Sequence, residues 1–413
     1  MCKILDKIID HFTLEINWNE VEKIDEFKKC QLTEHNCKWH LEGNVLNHIK
    51  STVNAIYSLC PIEKEDFICS SGEGSKRYFK RYILTLAALF HDIGKPLCLK
   101  INDDGSNSFP HHAKVSEQIT RKLLWDEYFI HRELICSLVG NHMKPLYVFE
   151  KADPLKYIIT LAEEPVSLEW LLLLKTADCM GSQMKEYNGW REKLEDVRKI
   201  AIENDCLTKP YTFSNTTSRY AYFNNENVSH PSVFFKDKSE FEVYVFIGIP
   251  GSGKTTYRSN LPTLPIVCRD DIRTEIGIKG EKPMGTKKQE DEVTRIQNEC
   301  VLNYARKKES FIIDATNLKW RYRNKFKTML APYNPKIIYV YIEAPTFQDN
   351  LNRRKGQIPQ DIIIKMRDNF EFPKMTECEE LIIGKQGLEW LKSFRLKKKK
   401  RWKHIHILRN LEI

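Results

Sequence analysis

The chain has 413 residues, of which 41% are apolar and 29% charged. That length exceeds what one hydrophobic core usually organises, so two domains are expected, and no apolar run approaches the roughly 20 residues of a membrane span. The net charge of +9 is local: Arg395, Lys397, Lys398, Lys399, Lys400, Arg401 and Lys403 crowd the C-terminal stretch, which reads as an arm for polyanions rather than as a basic body.

At the other end, Lys3 introduces a charge before any apolar block forms, which argues against a secretory leader. The twelve cysteines are scattered with no Cys-x-x-Cys pair, so neither a zinc knuckle nor a disulfide framework is indicated. A cytoplasmic location without membrane attachment is the expectation.

Residues 1–205 form the first expected domain. From about Asn44 to Asn204 apolar residues recur at helical spacing, as in Leu84, Leu86, Ala87, Leu89 and Phe90, which predicts an all-α bundle. His91-Asp92-Ile93-Gly94-Lys95-Pro96 follows an apolar helix and places two ligand types side by side at its end. An isolated His-Asp pair is a weak signal, but His48, His112, His142 and Asp178 each fall at or near the polar end of another apolar helix. Such side chains can converge inside a bundle. Lys95 is a candidate phosphate clamp beside them, whereas His40 and His111 match no ligand position.

Residues 206–240 break into Asn, Ser, Thr and aromatics and predict a connector that packs on one or both domains. From 241 to 375, short β-rich runs (Val243 to Gly248, Pro265 to Cys268, Ser310 to Asp314, Lys336 to Glu343) alternate with helical stretches. That grammar predicts a parallel sheet with helical crossovers, an α/β domain. Residues 376–413 are expected to form a basic tail, in which Trp402 between two cations could stack on a base.

Gly248-Ile249-Pro250-Gly251-Ser252-Gly253-Lys254-Thr255-Thr256 follows the first of these runs and precedes a helix. In that setting backbone N–H groups converge on phosphates, Lys254 reaches the β- and γ-phosphates, and the Thr255 hydroxyl ligates Mg²⁺. An ATP or other NTP donor is therefore expected. Arg269-Asp270-Asp271-Ile272-Arg273 begins where the second strand ends, the edge at which open α/β sheets bind ligands. Asp270 can accept a proton from an attacking hydroxyl there, and Arg273 lies one turn later on the same face.

The ordered set His48, His91-Asp92, His112, His142 and Asp178 resembles the HD-domain phosphohydrolase superfamily, most of all the variant attached to bacterial transfer-RNA nucleotidyltransferases. The resemblance implies His48, His91, Asp92 and Asp178 as core metal ligands, with His112 and His142 completing an adjacent second position, for one or two divalent transition metals. The P-loop, Arg269-Asp270-Asp271-x-Arg273 and Asp314-Ala315-Thr316-Asn317 are similar to the 5′-polynucleotide kinase family over roughly Glu242 to Phe372. This implies Asp270 as general base, Arg273 as the contact to the nucleic-acid end, and Arg353, in Arg353-Arg354-Lys355-Gly356, as a lid arginine. The family's other lid arginine falls here on Asp349, and Arg354 is the alternative.

The order of the two halves resembles the HD-Pnk proteins, bifunctional RNA end-healing enzymes. It implies phosphorylation of 5′-hydroxyl ends and hydrolysis of a terminal 2′,3′-cyclic phosphate or 2′-phosphate. RNA ends, or DNA ends, are the expected partners, with an RNA ligase acting in the same pathway. Two other readings stay open: a nucleoside or small-molecule kinase fused to a nucleotide phosphohydrolase, and a nucleotide-gated RNA-binding sensor.

Overall fold

A computed structural model of the chain describes residues 3–35, 42–63, 66, 73–182, 189–259, 263–278 and 285–385. His40 and the basic residues 395–403 with Trp402 lie outside these. The chain divides into two compact units at residues 212 and 213.

The first unit is helical. Helices α1 to α3 (Leu5–Ile8, Trp18–Val21, Asp25–Gln31) lead to α4 (Val45–Leu59) and α5 (Glu73–Phe90), then α6 (His112–Leu123), α7 (Phe129–Asn141), α8 (Pro154–Ala162), α9 (Leu168–Gly181) and α10 (Trp190–Glu203). Asn44 starts α4 by accepting the N–H of Asn47, and Val45, Ile49, Val53 and Ile56 then turn one face into the core at helical spacing. The last turns of α5, from Ile83 to Phe90, are buried on all sides, so this helix runs through the centre of the bundle. Helices α4 and α9 pack closely because Gly181 has no side chain: a Cβ there would come within 2.5 Å of Thr52 Oγ1. One departure from an all-helical bundle is a short antiparallel hairpin, β1 (Lys100–Ile101) with β2 (Asn107–Ser108).

The second unit opens with α11 (Thr216–Asn224), followed by β3 (Glu242–Ile247), α12 (Lys254–Arg258), β4 (Ile266–Cys268), α13 (Arg269–Glu275), α14 (Lys287–Lys307), β5 (Phe311–Asp314), α15 (Trp320–Leu330), β6 (Lys336–Glu343), α16 (Phe347–Arg353), α17 (Gln360–Asp368) and β7 (Glu380–Lys385). The sheet is parallel with order β4-β5-β3-β6-β7. Its central strands β3, β5 and β6 are almost wholly buried, as parallel strands covered on both faces must be.

Two expected boundaries move. The connector expected over 206–240 is largely part of the second unit: Arg219 of α11 donates to the carbonyls of Cys378 and Glu379 at 3.2 and 2.7 Å, and Asn224 donates to Thr376. The sheet also continues beyond 375, because β7 pairs along β6 from Glu380 to Lys385. Among the described residues no helix is long and apolar enough to cross a membrane, and the nine described cysteines are free thiols.

Candidate functional sites

In the first unit five chain segments deliver ligand atoms to one buried place. His48 lies in the first turn of α4, His91 and Asp92 follow the end of α5, His112 opens α6, His142 caps α7, and Asp178 sits near the end of α9. His111, in a left-handed conformation with φ 62°, turns the chain into α6. His48 Nε2 stands 3.1 Å from His91 Nε2, 3.0 Å from Asp178 Oδ1 and 3.4 Å from Asp92 Oδ2. On the other side of the same carboxylate, Asp92 Oδ1 lies 3.3 Å from His112 Nε2 and 3.7 Å from His142 Nε2, which are themselves 3.3 Å apart. Two ligand groups result, His48-His91-Asp178 and Asp92-His112-His142.

The outer atoms of these rings settle what the inner ones offer. Nδ1 of His91, His112 and His142 donates to the carbonyls of Ala88, Phe109 and Val139 at 2.7 to 2.8 Å. His48 Nδ1 is 2.7 Å from Glu42 Oε1. Carbonyl oxygens only accept, so Nδ1 of His91, His112 and His142 carries hydrogen, and each of these rings in its neutral form turns an Nε2 lone pair inward. Inward lone pairs at about 3 Å repel unless a cation stands among them. The charge balance points the same way: burial works to lower the pKa of His91, but Asp92 and Asp178 override it and raise it to about 9. Burial likewise opposes the charges of Asp92 and Asp178, yet His91 with Lys95, and Lys175 with His48, hold them well below the carboxylate range. The donor set of imidazoles and carboxylates fits one or two divalent transition metals.

Three contributors have no counterpart in the sequence reading. Glu42 orients His48. Lys175, three residues before Asp178 on the same helix, donates to Asp178 Oδ2 at 2.7 Å. His35 Nε2 lies 3.1 Å from Lys95 Nζ. Lys95 is buried and its ammonium is 2.6 Å from Asp92 Oδ2, so it clamps a ligand carboxylate as well as facing the site.

In the second unit the glycine-rich loop joins β3 to α12, with Gly251 and Gly253 at φ 78° and 98°. A Cβ on Gly251 would come within 2.7 Å of the Asn350 carbonyl, which is how α16 packs down on the loop. Asn350 donates to Pro250 O at 2.9 Å and Arg353 Nη1 to Gly251 O at 3.1 Å. Ser252 is buried beneath the loop, while Thr255 and Thr256 are exposed. Lys254 Nζ donates to the carbonyls of Gly248 and Ile249 at 2.7 and 3.2 Å. Burial lowers its pKa to about 8, against the pull of Asp314 and with the help of Arg354. Lys254 is thus a cation tucked into its own loop, and phosphates would draw it out. Nearby, Asp314 accepts from Arg258 at 2.6 Å, and its carboxyl is raised by burial.

At the end of β4, Asp270 is the open group, with its side chain 81% exposed. Its Oδ1 accepts from Arg273 Nη1 at 2.7 Å. The other edge of Arg273 is spent on Glu290, with Nε and Nη2 donating at 2.8 and 3.0 Å, and Arg269 adds a bond to Glu290 at 2.9 Å. The bonds from Arg273 hold the Glu290 carboxyl down to about 2. Asp349, where the resemblance leads one to expect a second arginine, closes a capping box with Thr346 at the start of α16. Of the two neighbouring arginines, Arg353 reaches the P-loop and Arg354 bonds Gln357.

Comparison with known proteins divides the chain in the same way. Residues 45–167 match the HD domain family and residues 243–373 match an AAA domain family. The chain is 25% identical to heterogeneous nuclear ribonucleoprotein U-like protein 2 of Mus musculus over 165 residues, 36% of this chain and 22% of that protein; the Homo sapiens protein aligns over the same length at 24%. It is 33% identical over 132 residues to the bifunctional uridylyltransferase/uridylyl-removing enzyme of Cupriavidus pinatubonensis, covering 30% of this chain and 14% of that enzyme. The aligned stretches span less than a quarter of each relative. An HD domain followed by a P-loop, kinase-like domain, with hydrolase, kinase, nucleotide-binding and metal-binding character, is what the chain contains.

Proposed function

We propose that this chain, an HD domain joined to a P-loop kinase-like domain, heals RNA ends as an HD-Pnk enzyme, removing a terminal 2′,3′-cyclic phosphate or 2′-phosphate with one unit and phosphorylating a 5′-hydroxyl with the other. The observation that carries the reading is the pairing, in one chain, of a buried cluster of imidazoles and carboxylates able to hold metals and a P-loop domain with an exposed carboxylate, Asp270, at the end of β4. Cleaved RNA commonly bears the first kind of end on one side of the break and a 5′-hydroxyl on the other, while a ligase needs a 3′-hydroxyl and a 5′-phosphate. Two opposite phosphate operations in one protein meet that need.

In the kinase unit, Lys254 exchanges its loop carbonyls for the β- and γ-phosphates, and Thr255 would ligate Mg²⁺. The acceptor oxygen attacks the γ-phosphorus as its proton passes to Asp270, and the bond to the bridging β–γ oxygen breaks to release the nucleoside diphosphate. During this transfer Arg353 leaves Gly251 for the transferring group, and Arg273 faces the acceptor's own phosphate. In the HD unit, His48, His91, Asp92, His112, His142 and Asp178 would hold the metals, which when bound would supply an activated water at neutral pH and charge stabilisation at phosphorus. Lys95 and Lys175 keep the two carboxylates aimed, and Lys95 is the residue placed to clamp a substrate phosphate.

Among the relatives, one is named a ribonucleoprotein U-like protein and another a bifunctional uridylyltransferase/uridylyl-removing enzyme. The test offers oligonucleotides with 5′-hydroxyl, 3′-phosphate, 2′-phosphate and 2′,3′-cyclic ends, together with ATP and a panel of divalent metals. We expect 5′-phosphorylation and release of the 2′- or cyclic phosphate. Preference for mononucleosides over oligonucleotides as acceptors would replace this reading with a small-molecule kinase.

A further inference from the structure

Helix α15, which follows the Asp314–Asn317 turn, is preceded by Lys319 at its N-cap, opens with Trp320-Arg321-Tyr322 and carries Lys325 on its next turn. Its inner face, Arg323, Phe326 and Leu330, is buried, and Arg323 locks it in place through Glu377 at 2.8 Å and the carbonyls of Asn317 and Glu371 at 3.1 and 3.0 Å. Two large aromatics flank its solvent side, two residues apart and so about 200° from one another around the axis. Trp320 and Tyr322 are 51% and 47% exposed, although large aromatics normally bury most of their surface.

Cations accompany these rings. Arg321 lies over the Tyr322 ring, 4.8 Å from its centroid, and donates to the phenol oxygen at 2.8 Å. Lys319 reaches Asn369 at 3.3 Å, and the Trp320 N–H donates to Glu371 at 2.7 Å, which ties this first turn to the segment behind α17. The platform is therefore rigid, cationic and continuous with the carboxyl edge of the sheet on which Asp314 and Asp270 stand.

We infer that the first turn of α15 is a stacking platform for the acceptor strand, on which Trp320 and Tyr322 take nucleobases while Lys319, Arg321 and Lys325 face the phosphates. The inference rests on the kinase reading above and deepens it, naming a single-stranded polynucleotide as the occupant. Flat rings on the two flanks with positive charges on the ridge between them suit that partner, because every base has a π-face and every linkage a negative charge. A protein-docking face would instead gather its apolar residues at a centre with charges at the rim. Strand length beyond the first nucleotide then adds affinity that a mononucleotide lacks.

The test uses the full chain. Binding of a 3′-labelled, 5′-hydroxyl single-stranded oligonucleotide is followed by fluorescence anisotropy, and KM is compared for that oligonucleotide and for a nucleoside 3′-monophosphate. Stacking contacts of this kind predict that Trp320→Ala with Tyr322→Ala weakens oligonucleotide binding about tenfold or more and shrinks the KM advantage of the longer acceptor by a similar factor. Trp320→Phe restores most of it. Phe234→Ala, at a 64% exposed aromatic elsewhere in the unit, leaves both unchanged. Equal binding by wild type and the double variant overturns the platform, as does a wild type that binds no oligonucleotide or gains nothing from strand length. If the variant loses binding but the wild type phosphorylates no 5′-hydroxyl, the platform stands and the kinase reading falls.

Discussion

In the first unit the ligand side chains meet in a buried chamber with their outer atoms already pinned to carbonyls and carboxylates; in the second, the charged groups of the P-loop site face solvent, rest on loop carbonyls or are paired with one another. His91, His112 and His142 each spend Nδ1 on a carbonyl one turn back, so their inner nitrogens are aimed before any cation arrives. Lys254 instead rests on its own loop, and Arg273 is divided between Asp270 and Glu290. Hydrolysis at a metal requires fixed ligands, whereas phosphoryl transfer requires groups that reorganise around an incoming nucleotide and acceptor. The contrast teaches that one chain can carry a site rigid by burial and a site held in reserve by internal pairing.

The strongest way to break this comparison is to remove a central group from each site. His91→Ala or Asp92→Ala should lower phosphate release by about a thousandfold or more, since metal-borne stabilisation is worth several kcal/mol, and should spare 5′-phosphorylation. Lys254→Ala should do the reverse. Parallel assays of both activities on folded protein decide it, and loss of both from one substitution would mean the sites are not independent. Asp270→Asn, which keeps shape but not basicity, should lower kinase turnover by about 10² to 10⁴; a kcat within threefold of wild type would remove Asp270 as the base.

The parts of this contrast that could be read from the sequence are the ones written in local spacing. The P-loop declares itself because strand, loop and helix are contiguous, and the metal-site histidines because each stands at the end of an apolar helix. Glu42, His35 and Lys175 escaped because they act on groups brought near by folding, and nothing in their own surroundings marks them; only the i, i+3 spacing of Lys175 and Asp178 was visible. β7 was hidden for a similar reason: Leu381-Ile382-Ile383 is a short apolar run just before a basic tail, and its partner β6 is distant in the chain. Asp349 looked like a defect in the lid, but it has a local task as a helix cap.

Smaller effects sharpen the comparison. Glu42→Gln keeps the contact to His48 but removes its charge, and second-shell losses of this kind cost about 10- to 100-fold in metal affinity; chelator titration with metal analysis should show release at a correspondingly lower chelator concentration. In the kinase unit, Lys254 is protonated below about pH 8 in the nucleotide-free protein. Above that pH, binding of the triphosphate requires proton uptake, so ATP affinity should fall as pH rises through 8, by up to about tenfold per unit. Calorimetric titrations between pH 7 and 9.5 test the sign, and a flat affinity would show that Lys254 keeps its proton in the loop.

The least effect is expected from Glu290→Gln, and its direction bears on what the internal pairing is for. Glu290 accepts two bonds from one edge of Arg273 and one bond from Arg269, keeping two like charges together and Arg273 beside Asp270. Asp270 is largely exposed, so water screens its share of the network. If the pairing positions Arg273 for the acceptor, loss of the charge lets the two arginines separate, and the acceptor KM should rise about twofold to fivefold, the scale of a screened ion pair. A fall in KM would mean that Glu290 instead competes with the acceptor phosphate for Arg273. Steady-state kinetics with oligonucleotide at saturating ATP distinguish the two, because positioning raises KM where masking lowers it.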